Sequence, residues 1–96
     1  MSRPTKLDQG IEGWIHEHAG WEREASGGVS RTFDLGTFPA AIAFVVELSM
    51  LAEKHNHHPD LDIRWKNVRV AWVTHDVGGL TRLDLALAEA TDELAG

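Results

Sequence analysis

Residues 52–88 read AEKHNHHPDLDIRWKNVRVAWVTHDVGGLTRLDLALA, and the change of hydrophobic period inside this stretch decides the fold. Residues 68–74 (VRVAWVT) are rich in β-branched side chains and apolar on both parities, which predicts a strand at the centre of a sheet. Residues 63–65 read as a shorter strand just before it. On the N-terminal side, Pro59 lacks an amide hydrogen and pushes its predecessor out of the α region, so the helix entering the stretch cannot run past His58. On the C-terminal side, the turn His75-Asp76-Val77-Gly78-Gly79 leads into LTRLDL. There Thr81 stands as an N-cap with Asp84 three residues on, and Leu80 and Leu85 are placed for a hydrophobic staple. A helix to about Leu94 follows.

Upstream of the stretch the period is helical. Phe38, Ala41, Ile42, Val45, Leu48, Ser49 and Ala52 share one face of a helix that Thr37 can cap, with Pro39 tolerated in its first turn. Before it, residues 21–25 and 29–35 alternate around Ser26-Gly27-Gly28, the pattern of a hairpin. Earlier still, Ile11, Trp14, Ile15 and His18 recur at spacings of three and four, so a short amphipathic helix spans residues 8–18 and closes at Gly20. The order α-β-β-α-β-β-α is not strict βαβ alternation. It predicts an α+β fold, a four-stranded antiparallel sheet with helices packed on one face.

Bulk properties bound the rest. The 96 residues leave room for one core, so residues 1–96 are expected to form a single domain. A chain this short buries only about 60–65% of its unfolded surface, and a leftover apolar face would favour self-association, so a homo-oligomer, dimer or tetramer, is expected. Nine basic residues against 15 acidic ones give a formal charge of -6, which repels a phosphate backbone and disfavours nucleic acid as a partner. With no cysteine there is neither a disulfide framework nor a thiolate metal site. The first residues lack the apolar core of a signal peptide and no stretch approaches the roughly 20 apolar residues of a membrane span, so a soluble, cytoplasmic protein is expected, with no membrane partner.

Chemistry points to the ends of the central elements. Three of the six histidines fall within residues 55–58, and His75 follows the central strand. Histidine can give or take a proton near neutrality, and rigid elements aim such groups from their ends. Residue types alone admit three uses: acid/base catalysis, a metal site with Glu53, Asp60 and Asp62 nearby, or polar punctuation of a helix terminus, where a protonated imidazole meets the negative end of the dipole. The metal use lacks its usual spacing, since no HExxH pattern is present and the adjacent His57 and His58 point apart on most backbones.

The stretch closely resembles the signature region of the pterin-4a-carbinolamine dehydratase family. In that family a Glu stands four residues before His-His-Pro, an aromatic follows six after the Pro, then come a THD(A/V)GGLT turn and an Asp opening a helix. Glu53, His57, His58, Pro59, Trp65, Thr74, His75, Asp76, Gly78, Gly79, Leu80, Thr81 and Asp84 occupy those places. Trp21, Phe33, Phe38, Ala41 and Phe44 extend the likeness over nearly the whole chain. Many members have Trp where Leu61 stands and Tyr where Trp65 stands, so neither residue is given a chemical role.

The resemblance implies the same α+β fold, a pterin substrate bound without metal or organic cofactor, and dehydration of 4a-hydroxytetrahydrobiopterin to quinonoid dihydrobiopterin. By the same resemblance His57 and His75 are the acid/base pair, and His58 binds substrate or stabilises charge. Asp84 matches a signature carboxylate that could orient a histidine; it could equally complete the Thr81 cap. Glu53, four residues before His57, could contact that ring if the helix persists, or remain a solvated helix-face glutamate. His55 and Asp60 are expected at the solvated surface. Animal members of the family also act as dimerisation cofactors for a homeodomain transcription factor, so a non-catalytic interaction or pterin-binding module on this fold is the alternative.

Overall fold

The computed structural model describes residues 5–96. In chain order the elements are α1 (Ile11–Glu17), β1 (Glu22–Arg23), β2 (Val29–Asp34), α2 (Phe38–Lys54), β3 (Asp60–Arg64), β4 (Asn67–Trp72) and α3 (Arg82–Ala95), with a single 3-10 turn over His75–Val77. The four strands form one antiparallel sheet in the order β1-β2-β4-β3. This is the expected class and element order.

Strand periodicity separates the faces of the sheet. Val68, Val70 and Trp72 of β4 and Val29 and Phe33 of β2 join one core with Ala41, Phe44, Leu48 and Ala52 of α2 and Leu87 and Ala88 of α3. The opposite parity carries Thr32, Asp34, Asp60, Asp62, Arg64 and Arg69, and this face is polar. β4 is the central strand and is buried on both parities near its end, where Ala71 and Val73 join Val70 and Trp72 below one-tenth exposure. Among the described residues no helix is long and apolar enough to cross a membrane.

Boundaries differ from expectation where a single local rule met a tertiary one. β3 begins at Asp60, three residues early, because Asp60 and Asp62 pair with Ala71 and Arg69 on the polar face while Leu61 and Ile63 lie beside Val70 and Val68. Trp65 is not in the strand: it sits in the β3–β4 turn with a left-handed φ of 56°. β1 shortens to two residues, since Glu24 already accepts from Gly27 and donates to Gly28 in closing the turn. Gly28 is required there, as a Cβ would lie 2.4 Å from the Trp72 carbonyl oxygen. The first helix starts at Ile11, later than expected, behind a left-handed Gly10.

α2 is capped as expected, with the Ala40 amide donating to Thr37 Oγ1 at 3.2 Å. Its buried stripe is rotated, however. Ala41, Phe44, Leu48 and Ala52 face the core, while Phe38, Ile42 and Ser49 face outward; Val46 and Met50 extend the exposed apolar side.

On the polar face Glu24 is bonded by Arg69 and, at 2.8 Å, by Ser30. The Arg69 guanidinium foremost, and then the Ser30 hydroxyl, hold the Glu24 carboxyl below the usual glutamate range against the opposing effect of burial. A carboxyl held low in the folded state contributes stability that is complete above the unfolded glutamate range and lost as pH falls through the lowered folded value. Because Arg69 is 41% exposed, the pair is worth less than about 1 kcal/mol. Glu24→Gln is therefore expected to lower stability by up to that amount at pH 7, the deficit closing in acid; urea unfolding at both pH values checks it, and a deficit that grows in acid refutes it.

Candidate active site

The end of α2 is shaped by its own last residues. His55 is the C-cap, and Asn56 takes the left-handed conformation (φ 47°) that asparagine tolerates better than most residues. The Asn56 amide donates to the Glu53 carbonyl and the His57 amide to the Ala52 carbonyl, both at 3.1 Å, the paired bonds of a Schellman closure. The chain therefore reverses before Pro59, and His57 turns inward.

There the His57 ring lies parallel to Trp72, with centroids 5.8 Å apart and planes 9° from parallel. Its Nε2 is 2.5 Å from Asp84 Oδ1. The His57 side chain is 15% exposed and that of Asp84 0%. The second oxygen, Oδ2, accepts from the Thr81 amide at 2.9 Å, from Thr74 Oγ1 at 2.6 Å and from Thr81 Oγ1 at 3.2 Å. Asp84 thus completes the capping box of α3 with one oxygen and contacts His57 with the other.

Of the two readings of Glu53, the contact with His57 is not made, and the exposed helix-face glutamate is what the structure has. Glu53 does not reach His57; its Oε1 is 2.9 Å from His58 Nε2, both side chains being well exposed at 80% and 60%. The left-handed Asn56 ends the helical register that would have stacked residues 53 and 57, so the outward-facing His58 takes the glutamate instead.

Thr74 closes the turn that carries His75, its amide donating to the Gly79 carbonyl at 2.8 Å and its carbonyl accepting from the Gly79 amide at 3.3 Å. His75 and Asp76 are exposed. His57, His58 and His75 line one open cleft of ≈ 220 Å³, together with Asn56, Val73, Thr74 and Asp76. A larger cleft of ≈ 580 Å³ lies between the N-terminal segment and α3, lined by Leu7, Trp14, Arg82, Leu85 and Glu89 among others. It holds no histidine.

The remaining candidates are elsewhere. His55 Nδ1 lies 3.0 Å from the Leu51 carbonyl at the surface, Asp60 is exposed on β3, and Trp65 lies at the far end of β3 from His58. Among the described residues no group of three or more His, Cys, Asp or Glu is arranged to hold a metal ion. Asn56 carries the geometry without having been singled out, and Thr74 was named only as a signature position with no role; the signal for the first was an asparagine three residues before a proline at a helix end.

A small α+β protein whose helix and strand ends deliver histidines to one cleft is the class these features define. The family model described as Pterin 4 alpha carbinolamine dehydratase matches residues 5–94, and the chain belongs to that family. A Chloroflexus aggregans protein named "Putative pterin-4-alpha-carbinolamine dehydratase" is 55% identical over 76 residues, covering 79% of this chain and 81% of that one. A protein of the same name from Roseiflexus sp. (strain RS-1) is 47% identical over 91 residues, 94% and 97% of the two chains. The crystal structure of a transcriptional coactivator/pterin dehydratase from Brucella melitensis superposes with a TM-score of 0.89 at 26% identity, covering 96% of this chain and 100% of that one.

Removing the Asp84 carboxylate strips a helix cap and strands buried donors. Asp84→Ala is expected to cost roughly 2–4 kcal/mol of stability, against about 0.5 kcal/mol or less for Glu53→Ala at its exposed pair. Denaturant titration of the two variants compares them directly; equal losses would mean that the buried carboxylate holds nothing in place.

Proposed function

We propose that this protein is a 4a-hydroxytetrahydrobiopterin dehydratase, which removes water from the 4a-carbinolamine to give quinonoid dihydrobiopterin by histidine general acid/base catalysis in pterin cofactor recycling. The observation that carries this is the convergence of His57, His58 and His75 on one cleft, with His57 tied to a fully buried carboxylate. Family membership and the names of the relatives support the substrate class.

The reaction needs two proton movements. The C4a hydroxyl leaves as water once it receives a proton, and the ring nitrogen beside C4a gives up its proton as the carbon–nitrogen double bond forms. His57 and His75 are the groups proposed to exchange these protons. A carboxylate only accepts, so Asp84 draws the His57 proton to Nε2 and leaves Nδ1 as the nitrogen that carries a lone pair. The Trp72 face behind the ring limits its freedom to turn. His58, exposed and paired with Glu53, is placed to bind substrate or stabilise charge at the rim. Protein side chains supply both transfers, so the proposed route calls on no bound metal or organic cofactor.

Each transfer is commonly worth about a hundredfold to ten-thousandfold. The test follows the loss of the 4a-hydroxytetrahydropterin ultraviolet signal, generated by a coupled hydroxylase, with wild type, His75→Ala and His57→Ala/His75→Ala. His75→Ala should stay folded and slow the step by about a hundredfold or more, and the double variant should approach the uncatalysed rate. A full-rate His75→Ala enzyme would sink the acid/base assignment. No acceleration by folded wild type would leave a pterin-binding or protein-interaction module, the reading that the word coactivator in the name of the Brucella melitensis protein favours.

The proposal extends to a homo-oligomer, because α2 exposes Phe38, Ile42, Val46 and Met50 along one side. Sedimentation equilibrium should return a dimer or tetramer mass; a monomer would remove this part.

A further inference from the structure

The Asp84 carboxylate is divided between two tasks. Oδ1 meets only His57, while Oδ2 gathers the Thr81 amide, the Thr81 hydroxyl and the Thr74 hydroxyl. The Thr81 contacts belong to the capping box, which serves the start of α3 in any helix of this kind. The Thr74 contact does not. It comes from just beyond the end of β4, on another element, and at 2.6 Å it is shorter than either Thr81 bond to the same oxygen.

We infer that Thr74 is a positioning residue, whose hydroxyl locks the Asp84 carboxylate in the rotamer that presents Oδ1 to His57 Nε2 and so fixes the His57 tautomer. Three observations converge on it. Thr74 is 6% exposed, so its hydroxyl cannot exchange freely with water and its bond to Asp84 persists. Removing that donor leaves Oδ2 held from the helix side alone, and the carboxylate gains freedom to rotate about its terminal torsion, which is intrinsically broad. Finally, the Thr74 backbone pairs with Gly79 on both sides of the turn bearing His75. One residue thus sets His57 through its side chain and the His75 turn through its main chain, and only the first task needs the hydroxyl.

That separation makes the role testable with Thr74→Val, which keeps the shape and the backbone pairing but deletes the donor, and Thr74→Ser, which restores the donor. The kinetic arm rests on the dehydratase reading; the spectroscopic arm does not. Hydrogen-bond partners that orient a metal-ligating imidazole are commonly worth about tenfold to a hundredfold, and a partner that fixes the His57 ring is expected to act on the same scale. Thr74→Val should therefore lower kcat by roughly tenfold or more with KM within about twofold, a loss confined to the chemical step. Thr74→Ser should recover most of it. In long-range proton–nitrogen correlation spectra of the neutral imidazole, wild type and Thr74→Ser should show His57 as the single Nε2–H tautomer, and Thr74→Val a mixture. An unchanged tautomer pattern in Thr74→Val overturns the inference, as does an equal loss of kcat in the Ser and Val variants. If wild type proves inactive, the dehydratase reading fails while the tautomer spectra still decide the role of Thr74. Should Thr74→Val not fold, Thr74→Ala carries the same two readouts.

Discussion

A buried carboxylate organises this molecule. Moving an ionised carboxylate out of water is costly unless its lone pairs are filled, and Asp84, with no exposed surface, can stay only because four donor groups surround it. Those donors come from three places: the first turn of α3, the end of β4 and the chain just beyond α2. The requirement to satisfy one charge therefore pins three element ends to one point. The N-terminus of α3 assists, since its unpaired amides and dipole favour negative charge there.

The packing behind this point reinforces it. Trp72 lies fully buried with its indole nitrogen donating to Thr91 Oγ1 at 3.0 Å, and Thr91 in turn donates to the Leu87 carbonyl within α3. The tryptophan that flanks His57 is thus fastened to the same helix that carries Asp84. Two surfaces of the imidazole, its edge at Nε2 and one face, are referred to one rigid element, and the freedom left to the ring is small. His58, one residue on, has no such frame. Its partner Glu53 is largely in water, where ion pairs are worth about 0–1 kcal/mol, so its position follows solvent and ligand more than the fold.

How much of this was legible in the chain depended on whether a residue obeyed a local rule or a distant one. The caps at Thr37 and Thr81, the stop before Pro59 and the doubly apolar β4 are decided within a few residues, and each lies where local chemistry put it. β3 was legible only in part, because Asp60 and Asp62 are poor strand formers taken individually and are held there by the cross-strand partners of β4. The inward face of α2 was offset for a related reason. Phe38 and Ile42 satisfy helical spacing as well as Phe44 does, and only the position of the sheet chooses between them.

The site shows the same division at finer scale. Spacing rules allowed Glu53 to reach His57 if the helix persisted, because i and i+4 share a helix face, and that rule fails as soon as one intervening residue leaves the α region. Asn56 does so, and the consequence is an exchange of partners: the glutamate goes to His58, and His57 becomes available to a carboxylate 27 residues away. For Asp84, by contrast, capping and histidine orientation were posed as rivals, yet a carboxylate has two oxygens. The cap uses Oδ2 and the histidine uses Oδ1, so one side chain fills both roles at once. A residue that only capped the helix could be replaced by other cap formers, and one that only met His57 could be placed on a loop. The geometry in which a single side chain does both is what ties the position of the histidine to the stability of α3.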